Sequence, residues 1–90
     1  PNAAELDTKV RLLVLINQAL AARKLTQAGT AALLGINQST VSALTSYRID
    51  NFSVERLMGF VTALGCDIEI RITRPRQLTS RPGRIVVVAP

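Results

Sequence analysis

A short run of small polar side chains, spaced for one face of a helix, gives this sequence its clearest capacity for specific chemistry. In the segment QSTVSALTS, residues 38–46, Val41 and Leu44 are spaced to face inward. The outward positions carry hydroxyl groups that can bond to base edges or phosphates: Ser39, Thr40, Ser42 and Thr45. Gln38 begins the segment, and a glutamine amide can make a bidentate contact to adenine.

The charge balance of the chain favours a polyanionic partner. The sequence has 11 Lys and Arg against 6 Asp and Glu, a net charge of +5, and no acidic residue lies between Arg11 and Ile49. Such a stretch can approach phosphates without repulsion. Charge alone leaves open a merely soluble surface or an anionic membrane surface. We expect no membrane-spanning segment, because the apolar run 10–16 is far too short to cross a bilayer.

The composition excludes several kinds of active and metal site. The chain has no histidine and one cysteine, Cys66. It therefore lacks the residues for an intrachain disulfide, a Ser–His or Cys–His pair, or a metal site with imidazole and thiolate ligands. We expect no enzyme activity, no metal and no cofactor, and we expect Cys66 to be buried as a small apolar residue.

Apolar spacing predicts a first helix over residues 5–24, with Asn2 at capping-box spacing from Glu5. One predicted apolar face holds Leu6, Val10, Leu13, Asn17 and Leu20. A second holds Leu12, Leu15, Ile16 and Ala19. A helix that is apolar on both sides lies at the centre of a fold or is shared with a partner.

Capping residues and glycines mark three further helices. They are predicted over residues 26–34, 38–46 and 54–64, with Thr26, Asn37 and Ser53 as N-caps. Gly35 and Gly65 follow two of these helices, where a left-handed residue commonly ends the helix. Residues 47–51 between the third and fourth helices are expected to form a loop.

The hydrophobic period changes to two after the fourth helix. Residues 66–73 alternate strictly and place Ile68, Ile70 and Ile72 on one face, which predicts a β-strand. A lone strand is unstable, so its partner is either the same strand of a second copy or residues 84–89. Antiparallel pairing with a second copy sets Glu69 opposite Arg71. Residues 74–90 form a basic tail outside the domain of residues 1–73.

Residues 27–46 also meet the requirements of two helices that cross at a tight turn. Ala31 is small enough for a close crossing, and Gly35 can adopt a positive φ at the turn. Leu34 and Ile36 supply the apolar residues that flank the turn. Thr30 departs from the pattern, because an apolar residue is expected at that position.

The stretch LTQAGTAALLGINQSTVSAL resembles the XRE family of Cro- and lambda-repressor-like helix-turn-helix proteins. The continuation FSVERLMGFVTALGCDIEIRI is similar to the subgroup of HigA-type antitoxins. The resemblance implies a mainly α, lambda-repressor-like bundle of about four helices with a C-terminal strand that pairs in a dimer. It also implies that Gln27 contacts a phosphate and braces Gln38.

These observations predict a cytoplasmic, nucleoid-associated homodimer that binds double-stranded DNA as a transcriptional regulator, most simply a repressor of a pseudo-palindromic operator. The DNA contacts would come from Gln27, Asn37, Gln38, Ser39, Thr40, Ser42, Thr45 and Arg48. Arg48 could instead pair with Asp50. The alternative function is an antitoxin that neutralises a toxin protein and represses its own operon.

Overall fold

The computed structural model describes residues 3–75, 77 and 81–89. Within these residues the chain forms four α-helices: α1 (Ala3–Arg23), α2 (Gln27–Leu34), α3 (Gln38–Thr45) and α4 (Val54–Ala63). A 3-10 turn, Ile49–Asn51, lies inside the loop predicted between the third and fourth helices. The expectation of a mainly helical fold with four helices is confirmed, and each predicted boundary lies within two residues of the observed one.

Side-chain caps begin the last three helices, as the sequence predicts. The Oγ1 of Thr26, the Oδ1 of Asn37 and the Oγ of Ser53 each accept a hydrogen bond from the backbone N–H three residues later. These bonds satisfy amide groups that have no carbonyl partner in the first turn of a helix. The predicted cap at Asn2 lies outside the described residues.

Each helix is followed within two residues by a residue with a positive φ. Gly35 (φ +69°) and Gly65 (φ +89°) hold two of these positions, as predicted. Lys24 (φ 54°) and Tyr47 (φ 56°) hold the other two. After α3, the N–H groups of Tyr47 and Arg48 donate to the carbonyl oxygens of Leu44 and Ala43, which is a Schellman motif.

The core lies between α1 and the other helices, with α1 packed mainly on α4. The five most deeply buried large side chains are Leu13, Ile16, Val41, Leu44 and Leu57. The buried side chains of α1 form one stripe that includes residues from both predicted apolar faces. Val10, on the first predicted apolar face, is 38% exposed and lies outside this stripe.

Two contacts fix α4 at its ends. At its start, the rings of Phe52 and Phe60 meet edge to face at 5.9 Å, and the guanidinium of Arg56 lies 5.5 Å from each ring centre. At its end, Nη2 of Arg23 donates to the carbonyl oxygen of Leu64 at 2.9 Å. A cation at the carboxyl end of a helix also has a favourable interaction with the helix dipole.

The C-terminal strand predicted over residues 66–73 is not present in the described residues of this single chain. Ile68, Ile70 and Ile72 are 36%, 76% and 91% exposed, so the described residues leave most of their predicted inner face uncovered. A strand needs the backbone of a neighbour, and the other candidate segment, 84–89, also has no strand structure. Cys66, expected to be buried, is exposed because it follows the end of α4.

Candidate nucleic-acid interface

Helices α2 and α3 pack against each other across the turn at Gly35. Ala31 is buried at this crossing, which confirms its predicted role as a small residue. Thr30, the departure from the apolar pattern, is 5% exposed and therefore occupies an inner position despite its hydroxyl group. Val41 and Leu44 are buried as predicted, and their burial turns the opposite side of α3 toward solvent.

Gly29 lies beside the cap of its own helix. A Cβ built on it would lie 3.3 Å from Oγ1 of Thr26 and 3.6 Å from Cβ of Leu25. The same Thr26 oxygen accepts the Gly29 N–H at 3.0 Å. The glycine therefore gives room to the cap of α2, whereas the sequence offered no reason for it beyond a close backbone approach.

The amide oxygen of Asn37 gathers three hydrogen bonds at the start of α3. It accepts from the backbone N–H of Thr40 at 2.8 Å, from Oγ of Ser39 at 2.8 Å and from Oγ1 of Thr40 at 2.9 Å. Asn37 was predicted as a DNA contact, and this structure uses its oxygen as the helix cap. The cap ties two predicted DNA-contacting hydroxyls to one acceptor.

The other polar side chains of α3 differ in whether their hydrogen-bonding groups are free to contact DNA. Gln38 and Ser42 are exposed, and neither side chain makes a hydrogen bond to another described residue. The hydroxyl of Thr45 donates back to the carbonyl oxygens of Val41 and Ser42, both at 3.2 Å. Thr45 is therefore poorly prepared to donate to a phosphate, because its proton is already used.

Gln27 is exposed at the first position of α2. It lines a cleft of about 250 Å³ together with Thr45 of α3 and Asn17 of α1. The predicted brace between Gln27 and Gln38 is not formed among the described residues, where neither side chain has a hydrogen bond. The structure thus brings Gln27 close to the end of α3, while Gln38 lies at its beginning.

Arg48 lies three residues beyond the end of α3 and is exposed. Its side chain forms no ion pair with Asp50 among the described residues, although both line a recess of about 380 Å³ with Tyr47. The charge of Arg48 is therefore available at the carboxyl end of α3. Tyr47 is 42% exposed beside it, and a tyrosine side chain does not predict the positive φ found there.

Asn17 is a positioning residue that sequence reasoning placed only on an apolar face. Its Nδ2 donates to the carbonyl oxygen of Leu13 in its own helix at 2.9 Å and to that of Leu44 in α3 at 3.1 Å. A polar residue within an apolar stripe was the available signal. The residue that it holds lies 27 positions away, so its partner could not be read from local spacing.

Acidic side chains lie away from α2 and α3 in the sequence, since none occurs between Arg11 and Ile49. Glu5 and Asp7, at the start of α1, pair with Lys9 at 3.6 Å and with Arg11 at 3.0 Å. These pairs neutralise the two acids that precede the motif, whereas Asp50, which follows it, is the nearest acid along the chain. The exposed side of α2 and α3 is therefore free of negative charge from its own residues.

A family model described as a helix-turn-helix domain matches residues 1–73. The chain belongs to this helix-turn-helix domain family. A solved structure named "Putative XRE Family Transcriptional Regulator" is 48% identical to this helix-turn-helix domain protein, with 99% of each chain covered and a TM-score of 0.89. Among proteins of curated function, none matches the sequence. The expected likeness to the XRE family is confirmed at the level of the domain.

The described residues of this helix-turn-helix domain protein lack two kinds of feature. No helix there is both long and apolar enough to cross a membrane. No group of three or more His, Cys, Asp or Glu side chains there is placed to hold a metal ion.

Proposed function

We propose that this protein is a sequence-specific transcriptional regulator that binds a pseudo-palindromic DNA site as a homodimer, with α3 in the major groove. One observation carries the proposal. Asn37 fixes the first turn of α3, and directly after it the Gln38 side chain is exposed without a hydrogen-bond partner among the described residues. The name of the 48% identical solved relative supports the regulatory role.

The electrostatics of the motif support DNA as the partner. Arg48 extends the acid-free side of α3 at its carboxyl end, where it would meet a phosphate. Phosphate contacts orient a domain on DNA, and base contacts select the sequence. We therefore assign base reading to Gln38 and Ser42 and backbone contact to Gln27 and Arg48.

The exposed isoleucines after α4 support the dimer. Ile70 and Ile72 are the most exposed isoleucines of the described chain, at 76% and 91%. Antiparallel pairing of residues 67–73 about a two-fold axis at Ile70 would bury them and set Glu69 opposite Arg71 of the second copy. Within one chain these two charges pair with each other at 3.2 Å. The dimer would present two α3 helices to sites about one helical turn apart.

Selection of bound fragments from random DNA, at two salt concentrations, tests the proposal. We expect a two-fold symmetric consensus with half-sites about 10 base pairs apart, centre to centre. Gln38→Ala should weaken binding to the consensus by about 1–3 kcal/mol while non-specific binding stays nearly unchanged. Equal losses on both DNAs would contradict base reading, and a consensus without symmetry would contradict the dimer.

An antitoxin role remains the alternative. It requires a second protein partner in addition to DNA, and the exposed apolar side of α1, with Val10 at 38% and Val14 at 36%, is a surface that such a partner could cover. A small toxin encoded beside this protein should then co-purify with it. If the two proteins do not associate, the antitoxin role is excluded and the transcriptional regulator is the function that stands.

A further inference from the structure

The direction of two hydroxyl protons at the start of α3 follows from chemistry. The backbone N–H of Thr40 can only donate, so the Asn37 side-chain atom that it meets at 2.8 Å is the amide oxygen. An amide oxygen carries no proton. The hydroxyl oxygens of Ser39 and Thr40, at 2.8 and 2.9 Å from that same atom, must therefore donate their own protons to it.

A hydroxyl group has one proton and two lone pairs. Once the proton of Ser39 is used on Asn37, the group presents only lone pairs to anything that approaches α3 from outside. Thr40 is in the same condition, although it is half-buried while Ser39 is exposed. Ser42 differs, since its hydroxyl makes no hydrogen bond to a described residue and can either donate or accept.

Resting on the proposed DNA-binding function, we infer that Asn37 makes the start of α3 selective for bases that donate in the major groove. Those bases are adenine, through its N6 amino group, and cytosine, through its N4 amino group. Guanine and thymine offer acceptors at the corresponding positions, and phosphate oxygens are also acceptors. Ser39 is thus matched to an amino group and mismatched to guanine O6, thymine O4 or a phosphate.

Asn37 is on this account a positioning residue for specificity in addition to a cap. To donate to a group on the DNA, the Ser39 hydroxyl would have to break its hydrogen bond to Asn37. The free energy of that lost bond reduces the affinity for any DNA group that only accepts hydrogen bonds. The bidentate preference of Gln38 for adenine points the same way. In the first turn of α3, Gln38 therefore selects for adenine, and Ser39 selects for adenine or cytosine.

Base analogues test the inference on the selected DNA site. Purine in place of adenine, or 2-pyrimidinone in place of cytosine, removes one amino group at a time. At the base that faces Ser39 we expect about 2- to 13-fold weaker binding, the range of one hydrogen bond. In Ser39→Ala the same analogue should have no further effect, because the interaction is already absent. Ser42→Ala is the matched control and should leave that analogue effect intact.

Removing the acceptor gives an independent readout. Glycine is nearly as good an N-cap as asparagine, so Asn37→Gly should keep α3 folded while it frees the Ser39 hydroxyl to donate. We expect the preference for an amino-bearing base at that one position to weaken, with other positions unchanged. Thermal unfolding verifies that the variant is folded.

The outcomes separate this inference from the proposed function. Coupling of Ser39→Ala to guanine O6, to thymine O4, to a neutral methylphosphonate in the backbone, or to no position at all overturns the inference. The DNA-binding role survives any of these results if Gln38→Ala still lowers specificity. A protein without sequence preference overturns both.

Discussion

Nδ2 of Asn17 in α1 lies 3.1 Å from the carbonyl oxygen of Leu44, so the first helix holds the last turn of α3. Leu44 keeps a second donor, the N–H of Tyr47 at 3.2 Å, when Asn17 is removed. Asn17→Ala should therefore lower the free energy of unfolding by about 0.5–1.5 kcal/mol, the net value of a hydrogen bond, without orphaning the carbonyl. The midpoint of urea unfolding at an unchanged m-value measures this loss.

Gln18 is the matched control for Asn17, since it is exposed on the same helix. Gln18→Ala should change stability by less than about 0.5 kcal/mol, as surface substitutions usually do. If both variants lose the same amount, the contact with Leu44 has no structural role.

Tyr47 adopts a left-handed conformation (φ 56°) in which an ordinary residue is strained. Replacing it removes side-chain packing as well, so the informative quantity is the difference between two truncations. Tyr47→Gly should be more stable than Tyr47→Ala by about 1–2 kcal/mol, because only the alanine keeps a Cβ in conflict with the backbone. Thermal or chemical unfolding of the two variants gives this difference directly.

Ser46 provides the control for that comparison, since its φ of −94° is open to any residue. At this position the order should reverse, with the alanine variant more stable than the glycine variant by about 0.5–1 kcal/mol. The same sign at both positions would show that the helix end is not held in the geometry described.

Gly29 lies within α2 and Gly59 within α4, and the two glycines differ in their surroundings. A Cβ at Gly59 in α4 would meet nothing within 4 Å, whereas one at Gly29 would lie 3.3 Å from the capping oxygen of Thr26. Gly59→Ala should raise the free energy of unfolding by about 1 kcal/mol, the difference in helix propensity. Gly29→Ala should gain less, and an equal gain in both unfolding curves would rule out a conflict with the cap.

Ile70 lies at the centre of the proposed strand pairing and is 76% exposed in the single chain. Ile70→Lys should leave the fold of one chain intact and abolish the dimer, because two lysines would face each other across the two-fold axis. Sedimentation velocity measures the change. Val14→Lys, at an apolar α1 position that is 36% exposed, is the control and should remain dimeric. A dimeric Ile70→Lys protein would exclude pairing through this segment.

The caps and glycine ends could be predicted from sequence because they depend on local backbone geometry. Thr26, Asn37 and Ser53 each satisfy an amide three residues away, so residue type and spacing suffice. Gly35 is similar, since a positive φ favours glycine. Tyr47 occupies an equivalent position without that signature, and its conformation is imposed by the Schellman bonds that follow α3.

The errors arise where the outcome depends on distant parts of the chain. The first helix has two apolar faces, and contact with α4 rather than periodicity determines that Ile16 is buried and Val10 is not. The segment 66–73 alternates as a strand does, but alternation supplies no partner backbone. For the interface, the sequence indicated the polar residues of α3, while the direction of their protons required the positions of the Asn37 atoms.

The bond from Arg23 to the carbonyl oxygen of Leu64 lies where the chain leaves the helical bundle. In a dimer joined by residues 67–73, this bond would lie close to the junction between protomers. A small change in angle there would displace α3 by a larger distance, because α3 lies far from the junction. The two α3 helices of the dimer would then no longer match the spacing of successive major grooves. The Arg23 guanidinium would thus fix the relative orientation of the two protomers. Its loss would broaden the range of half-site spacings that the dimer accepts before it weakened the contacts within either half-site.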